Sequence, residues 1–187
     1  TDASRPQWLP EGGIWAPCIN RVGSQYVLYY SKSVWGGEWD AGIGVATSQS
    51  PTGPFTDHGN MFISKGIGIQ NCIDPFYIED GGRKYLFWGS FHGIYGCELS
   101  DDGMSLKAGA KPQQVAGSFM EGTYIKRRGG YYYLFGSAGT CCDGERSTYR
   151  VTVGRSRSLF GPYVDRQGRP LLDNNFEVVL HRNQRVI

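Results

Sequence analysis

Short apolar runs alternate with polar positions along this chain, and three stretches repeat one pattern. They are WAPCINRVGSQYVLYYS (15–31), DPFYIEDGGRKYLFWGS (74–90) and EGTYIKRRGGYYYLFGS (121–137). Each reads as an extended segment, a glycine-bearing turn and an aromatic strand ending in serine, which is a β-hairpin. The distance from Ile19 to Ser31, from Ile78 to Ser90 and from Ile125 to Ser137 is 12 residues in every case. The turns fall at Gly23, Gly81–Gly82 and Gly129–Gly130.

A second pattern follows the first. In VATSQSPTGPFTDHG (45–59) and GRSRSLFGPYVDRQG (154–168), Ser48 and Ser156, Gly53 and Gly161, and Asp57 and Asp165 are each 108 residues apart. This predicts a further strand with a Gly-Pro turn at its outer end. The middle repeat keeps the strand as GIYGCELSDDG (93–103) without the Gly-Pro. The unit is therefore three or four short strands, recurring at intervals of 59 and 47 residues, with no competing helical period. That predicts an all-β fold, a β-propeller with about three blades in this chain, at about 14–70, 71–117 and 118–180. A β-sandwich is the alternative, but it would not demand the repeated spacing. Propellers typically close with about 4–8 blades, and unclosed blades expose sheet edges. The chain is accordingly expected to be a piece of a longer protein.

Composition agrees with this and adds little chemistry. The 187 residues include 12 Tyr and 28 Gly, and the net charge is +2 with acids and bases interleaved. No basic footprint for nucleic acid, no apolar run long enough for a membrane span and no signal peptide is visible. The cysteines (Cys18, Cys72, Cys97, Cys141, Cys142) have no zinc spacing; they read as small buried residues or one cross-loop disulfide. Asp101–Asp102–Gly103 reads as a turn and not a calcium loop, and no metal ligands are assigned.

Counting back four residues from each isoleucine gives Trp15, Asp74 and Glu121, equivalent places on the innermost strands of successive blades. Such places converge on one funnel. Two of the three carry carboxyl groups, which packing alone would not select, and close like charges raise one pKa. Asp74 capping a turn and Glu121 pairing with Lys126 or Arg127 is the competing account. Around them, Trp15 would stack on a ligand ring or fill the funnel wall. Asn71 would bond a hydroxyl, and Ser90 and Phe91 would return toward the funnel. His92 would lie at that rim or in solvent, and Ser137 shares the register of Ser90. Pro75 is expected to hold Asp74 in an extended conformation.

At these residues the chain resembles glycoside hydrolase family 43, the five-bladed propeller glycosidases. WAP (15–17), NCIDP (71–75) and MEG (120–122) match its motifs. GSFHGI (89–94), YYLFGSAGTCCDGERSTYRVTVGRS (132–156) and GPYVD (161–165) resemble the endo-arabinanase branch. The resemblance implies inverting hydrolysis of an arabinose-containing plant cell-wall oligo- or polysaccharide. Glu121 would be the general acid, and Asp74 would orient it and modulate its pKa. Exo-acting arabinofuranosidase or β-xylosidase action, or a non-catalytic carbohydrate-binding propeller, are the alternatives; a protein-binding scaffold would have no reason to place acids at Asp74 and Glu121. The resemblance also implies a secreted or periplasmic parent, and a calcium or sodium ion at the propeller centre held through residues outside this chain. The family's general base is an Asp in a D-P motif ahead of WAP. Residues 1–14 hold none, and Asp2 is followed by Ala. The chain ends at HRNQRVI, before the family's G-P-G-H segment, and Cys18 stands where many members have Asp. This polypeptide alone is therefore expected to be inactive or nearly so.

Overall fold

A computed structural model describes residues 5–181. Asp2 and residues 182–187, which enter the reading of both chain ends, lie outside the described residues. The fold is all-β, with three four-stranded antiparallel sheets, each a meander in chain order. The first comprises β1 (Gly13–Val22), β2 (Gln25–Ser33), β3 (Gly42–Ser48) and β4 (Thr56–Ile63). The second comprises β5 (Phe76–Asp80), β6 (Arg83–Trp88), β7 (Ile94–Glu98) and β8 (Gln113–Ala116). The third comprises β9 (Met120–Arg128), β10 (Tyr131–Ala138), β11 (Arg150–Ser156) and β12 (Glu177–His181). These are propeller blades, with β1, β5 and β9 as neighbouring inner strands. Among the described residues, no helix is long and apolar enough to cross a membrane.

The repeated spacing appears as register. Ile19 pairs with Leu28 and Ile125 with Leu134, the same step in the first and third hairpins, whereas the middle hairpin turns one residue sooner and pairs Ile78 with Tyr85. Their tips at Gly23, Gly81–Gly82 and Gly129–Gly130 all have positive φ, as tight hairpin turns require. Both Gly-Pro bonds of the second pattern, Gly53–Pro54 and Gly161–Pro162, are cis.

Alternation sends side chains into two seams between blades. On β6, Leu86 and Trp88 face the first blade and join Val27, Tyr29, Ile43 and Val45. Tyr85 and Phe87 face the third and join Ile125, Tyr132, Leu134 and Leu171. A period-2 strand buried on both faces cannot slip by one residue without exchanging the two sets. Each fully buried large apolar side chain contributes about 1.5–3 kcal/mol, so the seams fix the blades against one another. Close packing also dictates Gly136 on β10: a Cβ there would sit 1.7 Å from Cε of Met120.

All five cysteines are free; Cys72 and Cys97 are buried and Cys18 is half-buried between inner strands. Among the described residues, no group of three or more His, Cys, Asp or Glu side chains is placed to hold a metal ion.

Candidate active site

Inner strands meet the loops at one end of the three blades around a cavity of about 900 Å³. Its lining includes Trp15, Asn71, Asp74, Ser90, Phe91 and Glu121, which brings six of the eight residues singled out in the sequence into one space. His92 lies at the rim, where its Nε2 is 2.9 Å from Oε2 of Glu38. Ser137 sits behind Glu121 as its cross-strand partner and lines a neighbouring pocket with Tyr149 and Arg150.

Glu121 stands at the start of β9 and is held from two sides. Ser90 Oγ donates to its Oε2 at 2.7 Å, and Tyr149 Oη donates to its Oε1 at 2.5 Å. Neither Lys126 nor Arg127 takes that place; Arg127 pairs instead with Asp80. Two donors on opposite oxygens fix the plane of the carboxyl group. Tyr149 is in turn bonded by Ser137, and its own hydroxyl pKa is pushed up, first by burial and then by its bond to Glu121.

Asp74 lies just ahead of β5. Its Oδ2 accepts the backbone N–H of Gly122 at 3.1 Å, which ties it to the residue after Glu121. Its own N–H donates to Ser31 Oγ at 2.9 Å. Burial, and secondarily the charge of Glu121, push the Asp74 carboxyl up to about 7 from an ordinary value of 3.8; the bond from Gly122 opposes them. The expectation that Pro75 keeps Asp74 extended is corrected: Asp74 has φ 60°. Asp is one of the few residues that tolerates this region. Here the contacts at its N–H and its carboxylate over-determine the conformation, and together they outweigh the preference imposed by the following proline.

Six further residues of the wall carried no periodic signal. Tyr149 arrives from the loop 139–148, whose ends are stapled by Thr140 N–H to Thr148 Oγ1 (3.0 Å) and Thr148 N–H to Thr140 Oγ1 (3.2 Å). The same loop brings Cys141, Cys142 and Asp143 to the cavity. The Cys141 thiol is pushed up to about 11 by its hydrogen bond with Cys142 and then by burial. Trp35, 77% exposed, lies with its ring 6.0 Å from that of Trp15, forming an aromatic lip. Glu38 and Asp143 are the other carboxylates on the wall; Glu38 is engaged by Gln70 and His92, and Asp143 by Arg146.

A buried carboxyl that keeps its proton to near neutrality beside a second carboxyl, in an aromatic-lipped cavity, is the equipment of acid-catalysed glycosidic cleavage. Comparison with known proteins points the same way. The model of Glycosyl hydrolases family 43 matches residues 1–186. The extracellular endo-α-(1→5)-L-arabinanase 1 of Bacillus subtilis is 36% identical over 85% of this chain and 51% of its own. The extracellular exo-α-(1→5)-L-arabinofuranosidase of Cellvibrio japonicus is 34% identical over 94% of this chain and 56% of its own. Among solved structures, the α-L-arabinanase of Cellvibrio cellulosa superposes with a TM-score of 0.89 at 30% identity, covering 98% of this chain and 67% of its own. The chain thus spans about half the length of the curated relatives it matches.

Proposed function

The chain belongs to glycosyl hydrolase family 43, and we propose on that premise that it forms part of a secreted, inverting glycosidase that cuts arabinan between its α-1,5-linked arabinose units. The observation that carries this reading is the joined pair: Asp74 bonded to the N–H of Gly122, and Glu121 beside it gripped by Ser90 and Tyr149. In this mechanism Glu121 delivers a proton to the leaving glycosidic oxygen. Asp74 fixes the start of β9 through Gly122, and its own carboxyl, raised by burial and then by the charge of Glu121, keeps a proton beside the acid until near neutrality. Trp15 and Trp35 offer flat apolar faces to the sugar chain, and Asn71 lies beside them as a hydroxyl partner.

An inverting reaction also needs a carboxylate that activates water from the opposite face, roughly 6.5–9.5 Å from the acid. Glu38 and Asp143 are committed to other partners, so the base is assigned to residues beyond those described. The cation implied at the propeller centre is likewise assigned outside the described residues, and no step is routed through it. Both endo- and exo-acting enzymes stand among the relatives, and the arabinanase-branch motifs favour endo action.

The test is to incubate linear arabinan with this polypeptide and with the same polypeptide extended at both ends in its natural reading frame. The extended protein should release a ladder of oligosaccharides with inverted anomeric configuration, read by proton NMR, and this polypeptide should be slower by two or more orders of magnitude. Release of arabinose alone would convert the reading to exo action. Equal rates for the two would sink the missing-base argument, and an extended protein inert on arabinan would overturn the substrate assignment.

A further inference from the structure

We infer that Glu38 is a positioning residue for the acid pair, an inference that rests on the glycosidase reading above. Glu38 belongs to the first blade, in the loop between β2 and β3. Its carboxylate reaches across to two separate loops of the second blade. Oε2 accepts a hydrogen bond from Nε2 of Gln70 and is 2.9 Å from Nε2 of His92. The backbone carbonyl of Glu38 accepts the N–H of Asn71 at 3.0 Å. One of these loops leads into Asp74 and the other leaves Ser90.

The two gripped residues are each followed or preceded by a strained neighbour. Asn71, next to Gln70, has φ 54°, and Phe91, next to His92, has φ 50°. Non-glycine residues persist in that region only where their surroundings hold them. Asn71 Nδ2 then donates to the carbonyl of Ser90 at 3.2 Å, and Ser90 Oγ donates to Glu121. The Glu38 carboxylate therefore closes a ring of contacts that runs through Gln70, Asn71, Ser90 and His92, and Ser90 is the member that touches the acid.

Exposure decides between stability and geometry as the purpose of this ring. The Glu38 and His92 side chains are 37% and 34% exposed. Exposed pairs contribute little to folding, because solvent screens them and ordering the side chains costs entropy. A carboxylate shared by two loops that bracket the acid pair instead removes freedom from the residues beside it. Loosening that ring should let Ser90 swing from Glu121 and admit water to Asp74.

The decisive measurement needs no substrate. The side-chain carboxyl resonances of Asp74 and Glu121 are followed by carbon-13 NMR from pH 3 to 9 in the wild-type chain, Glu38→Ala, Glu38→Gln and His92→Asn. Glu38→Ala should move the Asp74 midpoint toward the ordinary carboxylate range by about half a pH unit or more. Glu38→Gln, which keeps an acceptor for Gln70, should restore most of it. In the extended, active protein Glu38→Ala should lower kcat about tenfold with KM within about twofold. Unchanged titrations in a folded Glu38→Ala chain would overturn the proposal. So would a raised KM at constant kcat, which would make Glu38 a sugar contact. Should Glu38→Ala fail to fold, His92→Asn decides the matter by the same titration. If the extended protein cleaves no arabinan, the substrate assignment fails while the titrations still judge Glu38.

Discussion

Ser90, leaving the second blade, donates its hydroxyl to Glu121 on the first strand of the third blade at 2.7 Å. The equivalent serine one blade earlier, Ser31, accepts the backbone N–H of Asp74 at 2.9 Å. In both cases a serine at or just beyond the second strand of one blade serves the acid of the next, and the site is built across the seams.

If Glu121 is the proton donor, Glu121→Gln in the extended protein should lower turnover about 10²–10⁴-fold, the usual size of a general acid's contribution. Binding of an arabino-oligosaccharide, measured by calorimetry, should change little, since the amide keeps the shape of the carboxyl. Turnover at the wild-type rate would remove Glu121 from the mechanism.

Asp74 makes a prediction about folding. Its carboxyl titrates near 7 in the folded chain against 3.8 ordinarily, because burial and the Glu121 charge disfavour ionisation. Between these values the folded state binds more protons than the unfolded one, so stability must fall as pH rises from about 4 to about 7 and level off above. The loss should be of order a few kcal/mol. Urea midpoints measured across that range should slope downward for the wild type and flatten for Asp74→Asn; parallel curves would contradict the assignment.

Tyr149→Phe deletes one of the two donors on Glu121 without changing the packing of the ring. A hydrogen bond of this kind contributes about 0.5–1.5 kcal/mol, so kcat should fall by up to about tenfold. The melting temperature should move little. An unaltered kcat would leave Ser90 as the only group that matters for holding the acid.

Gly136→Ala should destabilise the third blade by about 1–3 kcal/mol, because the added methyl meets Cε of Met120 in a full seam. At this chain length that is about 2–4 °C of melting temperature per kcal/mol. The displaced Met120 immediately precedes Glu121, so activity in the extended protein should fall further than stability alone explains. A scanning calorimeter and an initial-rate assay at a temperature well below the transition separate the two.

The hairpins were legible because their cause is local: alternation, a glycine turn and a fixed count from Ile to Ser. Asp74 and Glu121 were legible through that count, since register carries a position from one blade to the next. Tyr149 was not, because its approach depends on a loop of ten residues whose fold is set by the Thr140–Thr148 staple and has no period. Glu38 was hidden for the same reason, in a loop where tertiary partners decide every orientation. The conformation of Asp74 was misjudged because a neighbour rule for proline speaks only of local sterics, and two contacts from other blades prevail over it.

Because each acid is held by a residue of the blade before it, a blade cannot be exchanged as a part. A chimera with its breakpoint between blades inherits one half of a holding contact from each parent, even when both halves fold. A breakpoint at a hairpin tip such as Gly81–Gly82, where an added Cβ would meet nothing within 4 Å, keeps the Ser31–Asp74 and Ser90–Glu121 contacts each within one parent. Recombination that preserves chemistry should therefore cut through blades and spare the seams.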